Sequence, residues 1–232
     1  MRLNNQILYD FFIEKNIPVL YHANTVKTSL TYFQQNGLLS RGAVEQLGLV
    51  QTTQSSDEAD QVLNVWNDIF LDSTDLHSFF GRQNYYGPIL FELDITFLQN
   101  YDCEIWITKD NPIYWSTDST DEERYFQNVD ELREDWGKYQ RQKKMITIRN
   151  NSTPILFDYV RKVIVDDPRV KIPDGNGDYI HLFNEAVTLI KELVPDGHIL
   201  KGKFITRDCT NCWCRDNYLT QVVQNELKRL FL

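Results

Sequence analysis

The chain has 232 residues, 42% of them hydrophobic and 13% aromatic, which is enough apolar material for one main domain, residues 1–170, carrying a helical C-terminal extension over 171–232. Charged residues make up 25% and the net charge is −9, which excludes a disordered chain and argues against a globally basic protein that coats nucleic acid. No run approaches the roughly 20 apolar residues of a membrane span, and residues 1–6 lack the apolar stretch of a secretory signal, so the expectation is a cytoplasmic protein with no membrane partner.

In chain order, residues 5–16 read as an amphipathic helix with Ile7, Leu8, Phe11 and Phe12 on one side, ended by Pro18. Residues 19–22 read as a short strand. Thr25 is placed to cap a helix over 26–36 whose apolar side includes Val26, Leu30 and Phe33, with Gly37 as its stop. Residues 51–60 are polar and read as a loop, and the spacing of Val62, Val65, Trp66 and Ile69 predicts a helix over 58–70.

Strands are expected at 87–95, 104–108, 145–149 and 160–165, the last closed by Asp166-Asp167-Pro168. One or two helices are expected within the acidic, aromatic stretch 118–139. Residues 173–177 form a strong turn signal, after which 179–193 and 218–232 are helical in pattern.

Three groups of residues could carry chemistry. The polar passage 72–87 contains His77, which could move a proton, Arg82, which could grip a pyrophosphate, and Tyr85 and Tyr86, which could stack on a flat ring. A loop whose His and Asp satisfy each other and whose tyrosines pack on the core fits the same residues. The basic run Lys138 to Lys144 is either a local phosphate-binding group or a solvated helix end. Cys209, Cys212 and Cys214, with His198 eleven residues earlier, could make a four-ligand zinc site or pack as reduced thiols. Their spacing lacks the paired knuckles that make zinc assignments strong, so no metal is assigned.

Tyr21-His22-Ala23-Asn24, followed by a helix and then Gly37-Leu38-Leu39, resembles the first motif of ADP-ribosyltransferases, most closely the DarT-like toxins that modify nucleic-acid bases. The resemblance continues through Asp68-Ile69-Phe70, Ile107 to Asn111 and Asp135-Trp136, and covers about residues 18 to 168. It implies an α+β, ADP-ribosyltransferase-like fold, with a central split mixed or antiparallel sheet and flanking helices. It also implies NAD as the ADP-ribose donor. His22 would contact the ribose, and the backbone of Ala23 and Asn24 would grip the nicotinamide amide. Leu39 would pack the cofactor, Gly37 would admit close backbone approach, and Arg41, Tyr85 and Tyr86 complete the cofactor-binding set.

Two departures qualify this pattern. Met145 stands where the family places its catalytic glutamate, and a thioether cannot act as a base. The family arginine before the second motif has no clear counterpart, because no Arg occurs between Arg41 and Arg82; those two are the candidates. The catalytic set is therefore Arg82, His77 and the Met145 position.

The resemblance implies an NAD-dependent ADP-ribosyltransferase acting on a nucleic-acid base, RNA before single-stranded DNA. Its setting would be a bacterial toxin–antitoxin or phage-defence system, with a cognate antitoxin as partner. Met145 favours the alternative of a catalytically silent NAD- or nucleic-acid-binding module. A protein-directed transferase is the third reading.

Overall fold

The computed structural model describes residues 2–79, 85–137, 144–210, 213–220 and 224–232. Helix α1 (Asn5–Glu14) starts at Asn4, whose side chain accepts from the Ile7 N–H, and it buries Leu8, Phe11 and Phe12. Ile7, expected beside them, is 50% exposed, because it falls roughly 90° of helix rotation from the centre of that stripe. Strand β1 (Val19–Asn24) leads through the Thr25 cap into α2 (Val26–Gln35). The stop of α2 is Asn36, in the left-handed region at φ 53°, and not Gly37.

The short β2 (Gly37–Leu38) is followed by α3 (Arg41–Gln46) and α4 (Asp57–Val62). The helix expected over 58–70 ends after one and a half turns, because Asn64 turns left-handed at φ 60° and residues 69–71 become strand β3 (Ile69–Leu71). Val62, expected on its apolar side, is 64% exposed.

After α5 (Leu76–Phe79) come β4 (Ile89–Asp94), α6 (Phe97–Asn100), β5 (Ile105–Ile107), α7 (Asp121–Arg124), α8 (Val129–Asp135), β6 (Ile146–Ile148) and β7 (Ile155–Leu156). Strand β8 (Val160–Asp167) runs two residues beyond its expected end, so Asp166 and Asp167 are buried strand residues and not a closing turn. A hairpin of β9 (Lys171–Pro173) and β10 (Tyr179–His181) follows, its turn containing Gly175 and Gly177 at positive φ. The helix expected from 179 therefore begins three residues later, as α9 (Leu182–Leu193). β11 (Phe204–Asp208), α10 (Trp213–Thr220) and α11 (Gln224–Phe231) complete the chain.

The protein is α+β with a mixed sheet. Strands lie in the order β1-β4-β8-β11, antiparallel except for the parallel pair β8–β11. A second, antiparallel sheet has the order β3-β6-β5. The segment 171–232, expected as a helical extension, thus supplies the outer strand of the main sheet, and Leu227, Leu230 and Phe231 join the same core as the rest.

One face of the four-stranded sheet carries Leu20, His22, Ile89, Phe91, Leu93, Val163, Val165 and Phe204 and is covered by α2. Phe33 of α2 meets Phe91, Phe157 and Phe204 at ring-centroid distances of 5.8, 6.1 and 5.6 Å. Helices α9 and α11 pack on α2, while α1 packs on α6 and α8.

Gly37 is required by this packing. A Cβ there would lie 2.6 Å from the Ile155 carbonyl oxygen and 2.7 Å from Pro154 Cβ, across the β2–β7 pair. Gly37→Ala should therefore destabilise the protein by about 1–3 kcal/mol. The check is a thermal melt, with a fall of about 2–4 °C expected for each kcal/mol.

Candidate cofactor and catalytic site

The two sheets touch at one place. Tyr21 and Asp72 exchange both backbone hydrogen bonds, each 2.8 Å, as an isolated antiparallel bridge between β1 and the end of β3. A continued ladder would next pair Ala23 with Phe70. Instead the Phe70 carbonyl accepts from His22 Nδ1 at 2.9 Å, and β3 leaves β1. By strand alternation Ala23 faces the same edge as Tyr21, so its N–H and C=O point into the split, where neither has a partner among the described residues.

His22 begins a fixed string of hydrogen bonds. With Nδ1 donating to Phe70, Nε2 is the acceptor, 3.4 Å from Asn24 Nδ2. Asn24 Nδ2 also donates to the Tyr32 hydroxyl at 3.1 Å, which donates to the Leu39 carbonyl at 3.0 Å, while Asn24 Oδ1 accepts from Thr25 N–H. Burial holds the His22 imidazole below its ordinary pKa, and burial pushes the Tyr32 hydroxyl up, so both stay neutral at physiological pH. The string ties β1, α2, β3 and the chain after β2 together at the split.

The other members of the expected cofactor set fall around this string. Leu39 is 1% exposed and contributes its carbonyl to the string. The close backbone approach that Gly37 permits is to residues 154–155 of the same chain. Arg41 sits over the Trp66 ring at 5.0 Å and fastens the loop after α3, donating to Asp57 Oδ2 at 2.7 Å and to the Thr52 carbonyl at 3.1 Å. Tyr85 and Tyr86 are 53% and 38% exposed. The next residue, Gly87, at φ 123°, packs its backbone on Asn24 and Thr25, where any Cβ would strike the Asn24 carbonyl.

Met145 is half-buried just before β6, its N–H donating to Thr108 Oγ1 at 3.0 Å. Alternation along β3 and β6 puts Met145, Thr147 and Phe70 on the sheet face that carries Tyr21 and Asp72. Arg82 lies outside the described residues.

His77 is brought to that same face, opposite the one that His22 occupies. In the main sheet the face carries Tyr21, Ala23, Leu90, Glu92, Ile164, Asp166 and Arg207. Asp166 is fully buried on β8 and Arg207 is its register partner on β11. The Arg207 guanidinium donates from Nε to Asp166 Oδ1 at 2.6 Å and from Nη1 to Asp75 Oδ2 at 2.5 Å, and its Nη2 lies 2.8 Å from His77 Nδ1. His77 Nδ1 also lies 2.6 Å from Asp166 Oδ2. Burial opposes charge on Asp166, but the His77 and Arg207 contacts prevail and hold its carboxyl below the ordinary range.

A second buried pair stands on the three-stranded sheet. Asp68 Oδ2 lies 2.9 Å from Arg149 Nε, and Asp68 Oδ1 accepts from Asn150 N–H. Arg149 donates to the Tyr125 hydroxyl at 2.8 Å and lies over the Trp106 ring at 4.7 Å. Burial pushes the Asp68 carboxyl up to about 6.

Arg207, Glu92 and Arg149 were not singled out in the sequence, Asp68 was named only within a motif, and Asp166 was read only as a closing turn. Arg207 carried no local signal, because Phe204 to Asp208 reads as two apolar residues followed by three polar ones, without the alternation of a strand. The zinc alternative loses His198, whose Nε2 donates to the Phe33 carbonyl while Nδ1 accepts from Leu200 N–H. Burial raises the Cys209 thiol to about 12, and the side chains of Cys212 and Cys214 lie outside the described residues. Of the basic run, residues 138–143 also lie outside them. Lys144 is buried 5.6 Å from the Phe126 ring centroid, not on a solvated helix end.

No protein-family model matches this chain, and no curated protein matches it.

Two outcomes follow. His22→Ala leaves the Phe70 carbonyl without its donor, so it should cost about 1–3 kcal/mol, read as a lower urea midpoint at unchanged slope. Because the Asp68 carboxyl is raised in the folded state, the native protein binds its proton above the ordinary value of 3.8. Stability from this group is full below about pH 4 and declines as pH rises through 6. Relative to Asp68→Asn, the wild type should therefore gain about 1–3 kcal/mol between pH 7 and pH 4, measured by urea unfolding at each pH.

Proposed function

We propose that this protein is an NAD-dependent ADP-ribosyltransferase with a split-sheet fold of that family's kind, and that it transfers ADP-ribose to a nucleic-acid base, RNA before single-stranded DNA. The observation that carries the reading is the Ala23 edge. A carboxamide offers one donor and one acceptor, and Ala23 presents the matching C=O and N–H side by side where the β1–β3 ladder stops. The exposed rings of Tyr85 and Tyr86 at the end of β1 offer a flat apolar surface to a nicotinamide.

Within this reading His22 and Asn24 set the shape of the pocket from behind. Loss of nicotinamide leaves a cation-like ribose carbon, which a nearby carboxylate stabilises. Met145 cannot do this. Asp72 and Glu92, 6% and 8% exposed on the face of Tyr21, are the carboxylates beside the split. The acceptor class, the toxin role and a cognate antitoxin come from the sequence resemblance alone. Met145 favours a second reading, a silent NAD-binding module.

Ala23→Pro tests the edge directly. Proline removes the N–H that faces the split, and the ladder to β4 uses the other edge of β1, so the fold tolerates it. The variant should melt near the wild type and bind NAD about tenfold more weakly, the worth of roughly one hydrogen bond. Equal NAD affinity in titration calorimetry would sink the proposed mode. Labelled NAD incubated with RNA, with single-stranded DNA and with lysate protein separates transferase from silent module by covalent label.

A further inference from the structure

We propose that His77 is the general base that receives the acceptor's proton, so that the acceptor binds on the sheet face of Tyr21, Glu92 and Asp166, away from the face into which His22 points; this rests on the transferase reading above.

The His77 side chain is 4% exposed, and among the described residues its Nε2 has no hydrogen-bond partner. A buried ring nitrogen left unmet is costly, which a cluster built only for stability would avoid. The surrounding contacts set the ring's protonation pattern. Arg207 Nε already satisfies Asp166 Oδ1, and Asp166 Oδ2, fully buried 2.6 Å from His77 Nδ1, otherwise lacks a donor. A proton on Nδ1 meets that need and leaves Nε2 as a lone pair. Arg207 then keeps the ring in place through its bonds to Asp166 and Asp75, and Asp75 Oδ1 accepts from the His77 backbone N–H.

Among the described residues, the charged groups at this ring are Asp75 before α5, Asp166 on β8 and Arg207 on β11, with Cys209 just beyond β11 and Tyr21 and Glu92 on the same sheet face. Glu92, Asp75 and Arg207 all act electrostatically on the Tyr21 hydroxyl, which places these side chains in one neighbourhood. Strands β1 and β8 are two strand spacings apart, about 10 Å.

The step balances as follows. The bond from ribose C1′ to the nicotinamide nitrogen breaks, its electron pair leaving with neutral nicotinamide. A hydroxyl or exocyclic amine of the acceptor forms the new bond to C1′, and its proton passes to His77 Nε2, which later yields it to solvent.

The test compares wild type with His77→Gln, which keeps the size of the side chain and cannot take up the proton. NAD affinity is measured by calorimetry, and label transfer from NAD is measured to cellular RNA, to a mixed-sequence single-stranded DNA and to lysate protein. Wild type that labels an acceptor, with the variant binding NAD within threefold and transferring at least 100-fold more slowly, supports the assignment. Transfer by the variant within threefold of wild type overturns it and leaves the transferase reading standing. Wild type that labels nothing overturns the transferase reading, and the assignment with it. If the variant folds poorly, the imidazole nitrogens of wild-type protein observed by nuclear magnetic resonance decide instead: an unprotonated Nε2 at pH 8 supports the base, and a proton on Nε2 overturns it.

Discussion

Everything distinctive in this molecule depends on a ladder that stops after one pair. Tyr21 and Asp72 complete their two backbone bonds, and the next carbonyl that β3 offers is taken by an imidazole in place of the Ala23 amide. A side chain that substitutes for a backbone donor lets the second strand leave without a buried carbonyl going unmet, which is the ordinary penalty for ending a sheet inside a protein. The sheet can therefore open next to a core. His22 is neutral, buried and of fixed tautomer for the same reason.

The second constraint is charge held under the opposite face. A fully buried carboxylate such as Asp166 is costly to desolvate, by several kcal/mol, and is tolerated only with good partners on both oxygens. Arg207 and His77 are those partners, one from the neighbouring strand and one from a short helix. The arrangement fixes which residue of β11 stands beside Asp166. A slip of one residue would turn Arg207 to the apolar face, so the ion pair sets register more than it adds stability.

Much of this architecture was legible in the sequence. The strands around 89–94, 105–107 and 146–148, the Thr25 cap and the acidic helices before β6 are local features, governed by period and capping. The failures were tertiary. Ile69 carried helical spacing but joined a strand, because Asn64 ended the helix and β6 supplied a ladder. Arg207 and Asp166 lie 41 positions apart and meet only through a parallel pairing that no local pattern encodes. At residues 21–24, the side chains of His22 and Asn24 face inward, and the group left open is the backbone of Ala23.

The parallel union of β8 with β11 has a consequence in time. A polypeptide grows at about 5–20 residues per second, so Arg207 follows Asp166 from the ribosome by roughly 2 to 8 s. Through that interval Asp75, His77 and Asp166 lack the guanidinium that lies among them in the folded chain. The buried carboxylate of Asp166 is therefore joined to its guanidinium only when the last of the described strands arrives, so this corner of the sheet closes late.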